Sequence, residues 1–220
     1  MAKQSDVLSA DFLVKTAQEF GTPVYIYHAE KIKTQYEKLK TAFSKADARF
    51  FYACKALTNI NVLRYINSIG CGLDTVSIQE VQLGLKAGFD PKNIIFTPNC
   101  VDLSEIIAAK ELGVNLNIDN ISILEQFGNQ FGDSYPICIR LNPHIMAGGN
   151  FKISTGHVDS KFGISIHQMR HIERISEKHE TEGDGPPHAH GLRDQGRRRV
   201  PARCGDHVRN DRAFPRPGVH

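Results

Sequence analysis

Three polar side chains stand where apolar runs of this chain end. Lys55 closes Phe50-Phe51-Tyr52-Ala53-Cys54, Asp74 lies in Gly72-Leu73-Asp74-Thr75-Val76-Ser77, and Arg140 lies in Ile139-Arg140-Leu141-Asn142-Pro143. The first run is apolar and aromatic throughout, as strands buried on both faces of a parallel sheet are. A lysine at the end of such a strand, partly desolvated at a barrel mouth, can lose its proton near neutral pH and attack a carbonyl carbon. The plainer reading is a lysine whose stem follows the strand while its ammonium reaches water. Arg140, next to Ile137-Cys138-Ile139, needs an anionic partner if it is buried. Asp74 could be that partner and could also hold the lysine or a cofactor ring; a purely structural Asp-Arg pair is the alternative.

The elements that must position these groups follow from periodicity. Residues 5–20 read as an amphipathic helix, 24–27 as a short strand and 29–43 as a second helix, with Ile32, Tyr36, Leu39 and Phe43 on one face. Strand and helix then alternate: strands at 49–54, 72–76, 93–97, 114–118 and 136–141, helices at 59–68, 78–87, 102–112, 121–128 and 165–178. That alternation predicts a parallel sheet with right-handed crossovers. No G-x-G-x-x-G or Walker A spacing follows any strand, which removes the main support for a nucleotide-binding doubly wound sheet. The expected fold is therefore α/β, a partial TIM (β/α)8 barrel with five of its eight strands countable. The loop Ile153-Ser154-Thr155-Gly156-His157-Val158-Asp159-Ser160-Lys161-Phe162-Gly163 is expected beside the strand ends, where it could cover a site.

Composition narrows the classes. In 220 residues the net charge is +3, too small to argue for nucleic acid or membrane as a partner. No run of eighteen apolar residues and no signal-peptide core is visible, so the chain reads as cytoplasmic. The cysteines at 54, 71, 100, 138 and 204 form no C-x-x-C pair, which speaks against zinc and against a disulfide framework; four of them, in or beside strand-like runs, are expected to be core thiols. His188-Ala189-His190 lacks a recognisable third ligand, so no metal site is expected.

Phe51-Tyr52-Ala53-Cys54-Lys55-Ala56 resembles the lysine motif of the fold-type III enzymes that use pyridoxal phosphate, the alanine racemase and basic amino-acid decarboxylase group. Gly21-Thr22-Pro23-Val24-Tyr25-Ile26-Tyr27, and Ile153-Ser154-Thr155-Gly156 through Asp159-Ser160-Lys161-Phe162-Gly163, are similar to the diaminopimelate decarboxylases within that group. The resemblance runs from about residue 7 to 178. It implies pyridoxal 5'-phosphate as cofactor, with Lys55 condensing with its aldehyde and Asp74 and Arg140 in the network behind it. It also implies decarboxylation of meso-2,6-diaminopimelate to L-lysine and a homodimer with shared active sites. A non-catalytic pyridoxal phosphate-binding barrel, an inert half-barrel fragment and a decarboxylase of another basic amino acid stay open as alternatives.

The final segment departs from that pattern. All 14 lysines fall at or before Lys178, yet 8 of the 13 arginines follow it. The family continues with H-x-H-x-G-S, a glycine-rich phosphate loop, further strands and a β domain carrying a catalytic cysteine, none of them present in frame. Codons available to Gly185–Gly196, read one nucleotide later, permit GLHMHTGSEIKD, which restores the histidine motif. The expected organisation is an N-terminal lead-in at 1–48, a partial barrel at 49–179 and an irregular out-of-frame tail at 180–220, in a chain that is inactive and poorly folded as written. A disordered arginine-rich arm that binds anions is the competing reading of the tail.

Overall fold

The computed structural model describes residues 8–145 and 160–181. Residues 153–159 of the covering loop and the tail from 182 onward lie outside the described residues.

Helices start where a short polar side chain can bond the free N–H groups of a first turn. Ser9 accepts from Phe12 N–H at 3.2 Å and opens α1 (Ala10–Phe20). His28 Nδ1 accepts from Lys31 N–H at 3.1 Å and opens α2 (Ala29–Ala42). The same device recurs after the strands: Asn59 caps α3 (Ile60–Ser68), Ser77 caps α4 (Ile78–Lys86) and Asn120 caps α6 (Ile121–Phe131), while α5 spans Leu103–Glu111. At the end of α4, Gly88 turns the chain back toward the sheet with φ +93°, a conformation that a side chain would strain.

Between these helices run β1 (Phe51–Ala53), β2 (Gly72–Thr75), β3 (Ile94–Phe96), β4 (Asn115–Ile118) and β5 (Ile137–Ile139). They form one parallel sheet in the order β1-β2-β3-β4-β5. Each strand lies beside its sequence neighbour and the order never reverses, as in a singly wound barrel and unlike a doubly wound sheet. The chain is thus a partial α/β barrel. A second, two-stranded parallel sheet joins β6 (Leu141–Asn142) to β7 (Ile164–Ser165), ahead of α7 (Met169–Thr181).

Period-two alternation divides the sheet into two faces. Leu73, Thr75, Ile94, Phe96, Leu116 and Ile118 are buried on the helix side. A Cβ at Gly84 of α4 would stand 2.5 Å from Leu73 Cδ2 and 3.2 Å from Ile94 Cδ1, so α4 approaches the sheet more closely than any side chain there would allow. Thr75, the polar member of this layer, donates its hydroxyl proton to Ile95 O at 2.9 Å and leaves no unpaired group behind. Asp74, Ile95, Thr97, Asn117 and Cys138 alternate with these residues and face the barrel interior, where they are half-buried.

Three expectations need correction. Val24–Tyr27 is not a strand: the segment finds no neighbour to bond with among the described residues, and Tyr25 is 86% exposed. The strands are also shorter than their apolar runs, because residues at each end already belong to loops or to caps. Of the four cysteines expected to be core thiols, Cys54 and Cys71 are buried and Cys138 is half-buried, but Cys100 is exposed in a loop with φ +57°.

Candidate active site at the strand ends

Lys55 does not close a strand. β1 stops at Ala53, and Cys54–Ala56 form a single 3-10 turn locked by the Leu57 N–H to Cys54 O bond at 3.1 Å. Cys54 plugs into the core with no exposed surface, so the next residue projects from a fixed base. Lys55 itself is exposed, against the partial desolvation expected for it. The described strands form only part of a barrel wall, and nothing among the described residues closes over the lysine.

Asp74 is on β2, paired in register with Ala53. Burial raises its carboxyl above the ordinary range; the Thr97 hydroxyl, then the charges of Lys55 and Arg140, pull it part of the way back. The three predicted residues thus lie toward one end of the sheet, and the Asp74 carboxyl feels the charge of both cations. Cys54, beneath them, has its thiol pushed up to about 11 by burial, then by the charges of Glu80 and Asp74.

Arg140 follows β5. Its N–H donates to Ile118 O at 2.9 Å, and its carbonyl accepts from Ile164 N–H at 2.8 Å. Among the described residues no direct Asp74–Arg140 ion pair forms, which corrects the expected carboxylate partner. Instead the guanidinium carbon lies 4.7 Å from the centre of the Phe162 ring, a cation–π arrangement. Arg140 is half-buried, so an aromatic face and water together meet a need that full burial would have placed on a carboxylate. Gly163 makes this seating possible. With φ +81° it runs so close to β6 that a Cβ would meet Asn142 N and Leu141 C at 2.9 Å, and only a residue without a side chain carries Phe162 in to that distance.

Sequence reading missed the polar layer between these residues. Asn117 Nδ2 donates to Thr97 Oγ1 at 2.9 Å, and Asn99 Nδ2 donates to Asp119 Oδ2 at 2.8 Å. The signal was present in Asn115-Leu116-Asn117-Ile118-Asp119, polar at every second position, but strict alternation does not say which face turns inward. Glu80 was missed as well: its Oε2 accepts from Val76 N–H at 2.9 Å and fixes the turn after Asp74, while its own N–H donates to the Ser77 hydroxyl at 3.3 Å. No group of three His, Cys, Asp or Glu side chains able to hold a metal ion occurs among the described residues, and His188 and His190 lie outside them.

The parallel, singly wound α/β sheet, with an amine, a carboxylate and a guanidinium near the ends of its strands, places the chain among the α/β barrels. Residues 29–182 match the model of the family described as pyridoxal-dependent decarboxylase, pyridoxal binding domain, and the chain belongs to that family. It is 38% identical over 165 residues to diaminopimelate decarboxylase of Methanothermobacter thermautotrophicus, covering 74% of this chain and 39% of the relative. To the Haemophilus influenzae diaminopimelate decarboxylase it is 30% identical, covering 73% of this chain and 40% of the relative. Among solved structures, Helicobacter pylori diaminopimelate decarboxylase complexed with L-lysine superposes with a TM-score of 0.69 at 32% identity, over 76% of this chain and 43% of that one. The chain thus spans about two fifths of the length of these relatives.

The donor set fits the cofactor this family binds. A solvent-accessible primary amine can reach an aldehyde, a carboxylate stands on the adjacent strand β2, and a guanidinium follows β5 at the other edge of the sheet, its charge acting on that carboxylate.

Proposed function

We propose that this chain carries the pyridoxal phosphate-binding half of a diaminopimelate decarboxylase, with Lys55 as the residue that holds the cofactor. The observation that carries the reading is the shared electrostatic neighbourhood of Lys55, Asp74 and Arg140 at one end of a sheet whose family binds pyridoxal. Similarity to relatives named for diaminopimelate supports that substrate.

When bound, pyridoxal phosphate supplies an aldehyde for an amine and an electron sink for the carbanion left by departing carbon dioxide. The chain's own groups prepare the place. Lys55 offers a nucleophilic nitrogen from a turn whose base cannot shift, because Cys54 is packed beneath it. Asp74 keeps negative charge beside that nitrogen and beside Arg140, and the Phe162 ring limits where the guanidinium can swing.

The test is borohydride reduction after adding pyridoxal phosphate to the full chain, with peptide mass mapping. A pyridoxyl label on Lys55, absent in Lys55→Ala, is the expected result; label spread over surface lysines, or none, ends the reading. Carbon dioxide release from diaminopimelate then separates decarboxylation by this chain from cofactor capture alone. The tail belongs to the same proposal as an out-of-frame segment, supported by its break in lysine and arginine usage and by a family match that stops at residue 182. DNA codons around His179 that cannot encode the histidine motif in the shifted frame refute it.

A further inference from the structure

We propose that Tyr52 is a positioning residue whose hydroxyl ties down the turn that presents Lys55. The inference rests on the reading of Lys55 as the cofactor-holding amine.

The crossing from β1 to α3 is short and anchored at few points. Ala53 is still held by the sheet, in register with Asp74, and Asn59 already belongs to α3, where its Oδ1 accepts from Asn61 N–H at 3.0 Å and Val62 N–H at 3.3 Å. Cys54 is anchored by its buried side chain, but Lys55 and Ala56 are exposed, so the backbone on either side decides where the amine stands. A 3-10 turn of three residues closed by one backbone hydrogen bond is weak alone. Tyr52 adds a second tie, since its hydroxyl reaches five residues ahead to Leu57 O at 3.4 Å. Leu57 is therefore bonded through both of its backbone groups: the N–H donates to Cys54 O at 3.1 Å, and the carbonyl accepts from Tyr52.

Tyr52 pairs with Leu73 on the helix side of the sheet, and its ring packs against the core while its hydroxyl meets the carbonyl beyond the turn. A carbonyl oxygen only accepts, so the phenol is the donor. Burial, then the charges of Cys54 and Tyr27, raise the phenol above its ordinary range, and the donor keeps its proton far past neutral pH. A phenol has few torsions to order, so a side chain rooted in β1 acts as a strut between the sheet and the turn. Phenylalanine there would fill the same space and leave Leu57 O without that donor. The amine gains because a nitrogen held near one position gives up less freedom on meeting an aldehyde than one on a loose loop.

The test compares wild type with Tyr52→Phe in the full chain. Amide hydrogen exchange reads the turn without any cofactor, and borohydride labelling at graded pyridoxal phosphate concentrations, mapped by mass, reads Lys55 against the other lysines. In Tyr52→Phe the Leu57 amide exchanges faster, while the amides of β2 and β3 keep their protection. Label at Lys55 weakens about threefold, the low end of what one neutral hydrogen bond supplies, as the 3.4 Å separation implies, and label at other lysines is unchanged. A folded Tyr52→Phe whose Leu57 exchange or Lys55 label equals that of wild type overturns the proposal. Should Tyr52→Phe not fold, 3-fluorotyrosine at position 52 decides: its more acidic hydroxyl donates more strongly, so slower Leu57 exchange and stronger Lys55 label are expected, and unchanged values count against the tie. A wild-type chain that takes no label, while Leu57 exchange still responds to Tyr52→Phe, overturns the reading of Lys55 and leaves the bond between Tyr52 and Leu57 standing.

Discussion

The two faces of the five-stranded sheet are built from the same strands and do opposite work. On the helix side, Leu73, Ile94 and Phe96 have no exposed surface, and Leu116 and Ile118 retain 1%. On the barrel side the neighbours of these residues are Asp74, Ile95, Thr97 and Asn117, half-buried and mostly polar. Adjacent positions in one strand thus belong either to the packing that keeps the sheet or to the chemistry it presents. Apolar burial on one face, at roughly 25 cal/mol per Å², is what allows the other face to keep a carboxylate away from water.

The sharpest way to break that division is on the packed face. Phe96→Ala removes a ring with no exposed surface between β3 and its helices, with an expected loss of about 3–5 kcal/mol read from urea unfolding. Gly84→Val forces a side chain into space already held by Leu73 and Ile94, with an expected loss of about 1–3 kcal/mol in the same assay.

On the barrel face the expected effects on stability are small and those on chemistry large. Lys55→Ala leaves the unfolding midpoint within about 0.5 kcal/mol of wild type, because the residue is exposed, yet abolishes the borohydride label. Asp74→Asn sharpens the contrast through pH. Burial holds the folded carboxyl above the ordinary range, with Thr97, Lys55 and Arg140 offsetting part of the rise, so the folded state holds this proton more tightly than the unfolded chain does. That contribution is fully present below the unfolded pKa and is lost as pH rises through the folded one. Thermal midpoints of Asp74→Asn are therefore expected to gain on wild type as pH climbs across that window, and to level off above it, while cofactor capture falls. A gap that is constant with pH contradicts the carboxyl's raised pKa.

The smallest effect concerns thiols. Among the described cysteines, exposed Cys100 is expected to react first with a disulfide reagent at pH 8. Cys54, buried and pushed up to about 11, should react only on unfolding. Mass mapping of partly labelled protein checks the order.

Much of this arrangement was legible in advance, because local signals and tertiary packing agree. The helices after β1, β2 and β4 show in the sequence by their apolar spacing, and the side-chain caps at Asn59, Ser77 and Asn120 start them where that spacing begins. The apolar runs also place Asp74 and Arg140 correctly near strand ends. Val24–Tyr27 shows where such reading fails: four residues of strand-forming composition find no strand partner among the described residues, and a strand exists only with a neighbour to bond.

The sequence by itself determined the alternation of strands and helices, which depends on contacts close in the chain, and with it the parallel sheet that such alternation calls for and the place of three polar residues near the ends of apolar runs. Only the tertiary structure decided which face of each strand looks inward, and so put Thr97 and Asn117 on the same face as Asp74. It also gave Arg140 the Phe162 ring in place of a carboxylate. Those outcomes depend on register between strands about twenty residues apart, and on how closely Gly163 approaches β6. Such distances are fixed by packing, which no local pattern encodes.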